Sequence, residues 1–218
     1  MDVSNYSGRI SADQILCLKE QGVNYLISLA QDLDICRQQL AIAQEAGMRI
    51  ACYDYLYYED PTFDLRRQRA ITIAKEFGGL EVWLDVEDED HQIGPAAVVS
   101  LTKRAAKFCE DEGLRWGIYT SRSKWLKLTA NSQEFKDKPL WDAYYLNRPK
   151  DEAGNPIVEA DDIGFSEPYM TSRSRICQLE YFTPYGGWES PTIKQAAGST
   201  NLCGITVDLN YGEPLQGV

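Results

Sequence analysis

The stretch LEVWLDVE, residues 80–87, carries the reading of the fold. Successive side chains of a strand point to opposite faces, so Val82, Leu84 and Val86 share one side while Trp83, Asp85 and Glu87 share the other. The apolar side suits packing against helices. The mixed side then faces an enclosed interior, and Asp85 and Glu87 fall at the strand's C-terminal end, where barrel enzymes assemble their sites.

Upstream, SADQILCLKEQ (11–21) reads as a helix capped by Ser11, with Ile15, Leu16 and Leu18 on an apolar stripe and a stop at Gly22. VNYLISLA (23–30) follows as a buried strand, then a helix over about 33–46 ending at Gly47, and the strand RIACYDYLYY (49–58). Pro61 opens a helix to Phe77, closed by Gly78-Gly79. Downstream, a helix runs from Gly94-Pro95 to about Asp111, then come a strand at LRWGIYT (114–120), a short helix at 121–129 and a strand at PLWDAYY (139–145). With MDVS as a truncated first strand, this is a regular β-α alternation. Such strands need crossover connections, which predicts a mostly parallel sheet covered by helices. After Tyr145 the rhythm fails: residues 147–175 read as an irregular excursion rich in Pro, Gly and acids, followed by short strands at about 176–182, 192–196 and 204–209. A parallel barrel with a β-rich closing segment fits better than an open doubly wound sheet, since no Gly-rich phosphate loop follows the first strand.

The whole chain, 1–218, reads as one domain without linker or internal repeat; 44% hydrophobic and 25% charged residues exclude disorder as the main state. A net charge of −11 argues against a nucleic-acid partner, because that binding depends on basic side chains releasing counterions. No run approaches the ~20 apolar residues that cross a bilayer, so membrane insertion is not expected. MDVSNYSG lacks the features of a secretory signal, which places synthesis in the cytoplasm with no export device.

The six cysteines, Cys17, Cys36, Cys52, Cys109, Cys177 and Cys203, are dispersed without a C-x-x-C pair and read as reduced core residues. His91 is the single histidine, and no His or Cys neighbours stand at zinc-ligand spacing. No metal or cofactor is expected, and nucleophilic triads are excluded unless His91 supplies the base. The acids and bases of any reaction are then carboxylates. Asp85 and Glu87 in a partly dry site would repel, leaving one protonated beside an ionised partner, which is the equipment for cleaving a glycosidic bond. Asp88, Glu89 and Asp90 read as a solvated acidic turn. In GITVDLN, Thr206 and Asp208 share a face opposite Ile205 and Val207, and Asp2 stands on the first strand; singly each is weak, because Asp is common in turns.

Together, D-V-S-N-Y-S-G at the start, L-D-V-E in mid-chain, I-Y-T at 118–120, L-W-D-A-Y-Y at 140–145 and V-D-L-N near the end resemble glycoside hydrolase family 25, the muramidase-type lysozymes and phage endolysins. The resemblance implies an irregular α/β TIM-like barrel of five β/α units followed by three strands. It implies cleavage of the β-1,4 bond between N-acetylmuramic acid and N-acetylglucosamine in peptidoglycan, with retention through attack by the substrate's own 2-acetamido oxygen. Glu87 matches the family's general acid and Asp85 the carboxylate that steers the reacting sugar; Asp2 and Asp208 complete the acidic cluster. Tyr53, Tyr55, Tyr119, Trp141 and Tyr145 are candidates for lining the sugar groove, though barrel core is an equal reading for each; Gln195 is the residue kept from the family's Trp-Gln-Tyr run.

The chain departs from the family there, reading Ile193-Lys194-Gln195-Ala196, and an aromatic wall is expected to be missing. The usual Tyr-His-Phe becomes Tyr53-Asp54-Tyr55, with Asp54 either a further site carboxylate or an outward-facing strand residue. The rival to a muramidase, or a relative acting on another amino-sugar polymer, is a virion or cell-surface barrel that holds a glycan without cutting it. A hydrolase without export fits a phage-type lysin acting at the host wall or a virion component. The sequence leaves the oligomeric state open.

Overall fold

The computed structural model describes residues 1–144 and 182–212. Eight strands close a barrel in chain order: β1 (Asp2–Val3), β2 (Tyr25–Leu29), β3 (Arg49–Tyr55), β4 (Val82–Asp85), β5 (Trp116–Thr120), β6 (Leu140–Ala143), β7 (Ile193–Leu202) and β8 (Ile205–Gly212). The first five are each followed by a helix: α1 (Ala12–Glu20), α2 (Leu33–Glu45), α3 (Phe63–Glu76), α4 (Pro95–Asp111) and α5 (Arg122–Thr129). Strands β1 to β7 pair in parallel, and β8 runs antiparallel to both β7 and β1. This is the five-plus-three barrel that the resemblance implies.

Local sequence explains the elements. Ser11 accepts the Gln14 amide at 3.2 Å while the Gln14 side chain accepts the Ser11 amide at 2.9 Å, a reciprocal cap that starts α1. Ser121 caps α5 through the Lys124 amide, and Pro95 occupies the first turn of α4. The alternation in β4 sorts two cores. Val82, Leu84 and Val86 pack outward with helix residues such as Ile73, Ala74 and Val98, whereas Trp83 joins Tyr25, Ile27, Ala51, Tyr119, Trp141 and Ile193 inside the barrel. Gly117 faces Trp83 across the β4–β5 register; a Cβ there would stand 2.5 Å from the indole ring. The barrel interior is therefore a filled aromatic core, and chemistry is confined to its mouth.

Several expectations are corrected. Strand β4 ends at Asp85, so Glu87 lies two residues beyond it, on the loop. The final hairpin is longer than 192–196 and 204–209. The stretch AAGSTNL is a poor strand sequence by itself, yet β7 continues to Leu202 through pairing with β8, with register shifts between Gln195 and Ala197 and between Ala197 and Thr200. Cys203 and Gly204 turn this hairpin with φ of 54° and 74°, the two-residue geometry that normally selects Asn-Gly.

Cys203 is not reduced. It is bonded to Cys17 on α1 across 186 residues of sequence, while Cys36, Cys52 and Cys109 are free and buried as expected. Composition could not reveal the pair, because only the closed barrel brings the first helix beside the last turn. Asp88 is buried rather than solvated, accepting the amides of Tyr58 at 3.1 Å and Asp90 at 3.0 Å, whereas Glu89 pairs with Lys124 and Lys127 at the surface. The excursion at 147–175, Tyr145, Cys177 and all but Phe182 of the strand expected at 176–182 lie outside the described residues, and Phe182 is not in a strand. Among the described residues no helix is long and apolar enough to cross a membrane.

Candidate active site

Strands β1 and β8 meet at one register pair, Asp2 opposite Asp208. Asp2 is buried, and one of its carboxylate oxygens accepts from Asn210 Nδ2 at 2.7 Å and Gln195 Nε2 at 2.9 Å. Gln195 also reaches Asp208 at 3.4 Å and accepts the Tyr119 hydroxyl at 2.8 Å; Asp208 accepts the Ser199 amide at 2.6 Å. Trp141 Nε1 donates to the Asn210 carbonyl oxygen at 2.8 Å. The amides of Gln195 and Asn210 are thereby oriented by aromatic residues of the core and present their donors to carboxylates.

Asp85 ends β4 on the same face, 2% exposed, and its Oδ1 has no hydrogen-bond partner. Burial first, then the neighbouring Glu87, Asp2 and Asp54 charges, hold its carboxyl well above the usual range. Glu87 is raised mainly by burial; Lys124 opposes this, and Asp208 and Glu89 reinforce it. Asp2 is pushed up to about 7 by burial and by Asp208, against the relief of its two amide donors. Tyr53 reports the convergence: after burial, the charges of Asp2, Asp85, Asp208 and Glu87 all push its hydroxyl upward. All four sequence-derived acids thus face one half-buried tyrosine at the barrel mouth.

The aromatic candidates divide. Trp141 and Tyr119 are buried in the interior core and support the site from below. Tyr53 and Tyr55 are partly exposed, with Tyr53 edge-on to Trp141 at 6.2 Å. Asp54 points outward and is ion-paired with the buried Arg67 of α3, so it belongs to the helix-facing layer. Lys194 takes the same layer: it is 0% exposed and lies 5.0 Å from the Tyr144 ring, beside Asp142 in the β6–β7 register. Asn210 was missed by sequence reasoning, although its spacing from Asp208 places both on one face of β8. Among the described residues no group of three or more His, Cys, Asp or Glu is arranged to hold a metal.

Carboxylates gathered at the C-terminal mouth of a closed β/α barrel, two of them at the end of one strand, define a glycoside hydrolase type of site. A family model for glycosyl hydrolases family 25 matches residues 1–162, and the chain belongs to that family; it is a glycosidase. Probable GH family 25 lysozyme 2 of Dictyostelium discoideum is 25% identical over 221 residues, covering 97% of this chain and 89% of that protein. Counting factor 50 of the same organism is 28% identical over 131 residues, where the match covers 60% of this chain but 35% of the relative. Among solved structures, a family GH25 lysozyme from Aspergillus fumigatus superimposes with a TM-score of 0.64 at 18% identity, covering 98% of this chain and 93% of that one. The bacterial lysozyme from Streptomyces coelicolor gives 0.65 at 17%, covering 97% and 90%.

Proposed function

We propose that the protein cleaves the β-1,4 bond between N-acetylmuramic acid and N-acetylglucosamine in peptidoglycan with retention of configuration. The observation that carries this reading is the buried Asp85 oxygen without a partner. A buried polar atom left unmatched is costly and calls for a ligand group. An acetamido N–H is a donor of the right kind, and accepting it would aim the acetamido oxygen at the anomeric carbon. Glu87, whose carboxyl is held above its usual range by burial, gives its proton to the departing glycosidic oxygen. The acetamido oxygen forms a bond to the anomeric carbon as that bond breaks. Water, deprotonated by the now ionised Glu87, then opens the cyclic intermediate from the original face. Asp208 supplies negative charge beside the developing cationic sugar, joined by Asp2 as pH rises through about 7, and Gln195 donates to both.

Glu87→Gln should abolish release of reducing ends from purified peptidoglycan while leaving the melting temperature within about a degree, because the substitution keeps the shape of a partly exposed side chain. Mass analysis of digested wall should find N-acetylmuramic acid at the new reducing ends. N-acetylglucosamine there, or full activity in Glu87→Gln, refutes the assignment. The Cys17–Cys203 bond favours a working place outside a reducing cytoplasm, which weighs against accumulation in a host cytoplasm before lysis.

A further inference from the structure

We propose that Tyr6 forms a sugar-stacking platform at the barrel mouth that binds a pyranose ring of the substrate glycan away from the cleaved bond. The inference rests on the glycan-cleaving function proposed above and adds a binding surface to it. Tyr6 is 98% exposed, more than any other large hydrophobic residue described. Its position is nonetheless fixed. It sits in a 3-10 turn, Asn5–Ser7, directly after β1 and four residues beyond Asp2. Ser4 Oγ accepts the Tyr6 amide at 3.2 Å, and Ser7 Oγ accepts the Ser4 amide at 3.3 Å and donates to the Thr206 carbonyl at 2.7 Å. Buried Gln39 donates to the carbonyls of Ser4 at 3.1 Å and Gly8 at 2.7 Å. Five hydrogen bonds therefore fix the turn that carries a phenol ring which contributes nothing to the core.

The location suits a ligand. The turn after β1 and the loop after β3 both open at the C-terminal end of the parallel strands, where Asp85 and Glu87 lie. Tyr57, two residues past β3, is fixed by the Tyr55 ring at 4.4 Å and by the Arg66 guanidinium at 4.6 Å, itself held by Asp60 at 2.6 Å. Flat aromatic faces match the C–H faces of pyranoses. The other tyrosines among the exposed large hydrophobic residues described, Tyr144 and Tyr211, are less than half exposed, at 44% and 45%.

The test uses soluble peptidoglycan strands of graded length. Tyr6→Ala should raise KM for long strands on the order of tenfold with a much smaller effect on kcat, no change in melting temperature, and recovery in Tyr6→Trp. Unchanged KM in an enzyme that cleaves these strands overturns the platform. A separate titration of the same strands into Glu87→Gln and into Tyr6→Ala/Glu87→Gln reads binding without turnover. Weaker binding in the double variant, even if the unsubstituted protein cuts nothing, upholds the platform while refuting the hydrolytic role; equal binding overturns the platform, and absence of any binding overturns both.

Discussion

Asn210 makes one primary amide serve two masters: its carbonyl is fixed by Trp141, which leaves its NH2 pointed at Asp2. Asn210→Ala leaves the indole N–H unmatched and removes a charge-assisted donor, so a loss of about 2–3 kcal/mol is expected, or roughly 4–10 °C in melting temperature for a chain of this size. Activity should fall as well, because Asp2 loses its orientation; thermal unfolding and reducing-end assays on one preparation check both. A variant as stable and active as the parent would show that Gln195 alone positions Asp2. Asp85 and Glu87 were legible in the sequence because they close a predicted strand, whereas Asp2 and Asp208 gained weight only from the combined motifs. Asn210 was not, because an amide carries no signal until the barrel brings Trp141 to it.

At the scale of elements, helix and strand types followed from caps and alternation, and the outer five units were readable because each helix buries its own stripe against its own strand. What failed were features decided by distant partners. The residues Ala196 to Leu202 become strand only because β8 lies beside them, and Asp88 is buried only because the loop after β3 offers it the Tyr58 amide. The Cys17–Cys203 bond belongs to the same class. It ties α1 to the β7–β8 turn, flanking a seam in which a two-residue β1 meets β8 at one pair. Replacing both cysteines by serine should lower stability by about 2–4 kcal/mol through release of a long loop in the unfolded chain. Denaturant titration measures this. No difference between oxidised protein and the double variant would mean that hairpin pairing alone closes the barrel. Cys203 also adopts a left-handed backbone that a non-glycine residue enters at a cost, which the covalent tie offsets.

For the whole molecule, the net charge of −11 has two components: surface acids such as Glu89, which meet lysines, and the group of Asp2, Asp85, Asp208 and Glu87 at the mouth. The second component sets a pH dependence. Asp2 binds its proton up to about 7 in the folded state against 3.8 as its ordinary value, and Asp85 and Glu87 are raised in the same direction. Between these limits the native protein holds more protons than the unfolded chain, so stability is greatest at the acidic end and declines as pH rises through the folded values. Melting temperature should therefore be higher near pH 5 than near pH 8, and Asp2→Asn should flatten the difference; a rise toward pH 8 would contradict the burial of these acids. On an anionic wall the overall charge predicts repulsion, so hydrolysis should increase with moderate salt and decrease only if attraction drives the encounter. The disulfide has one more effect at this scale. Because Cys17 and Cys203 bracket nearly the entire chain, a single cut by a protease at any peptide bond between them leaves two pieces that remain one molecule until a reductant separates them.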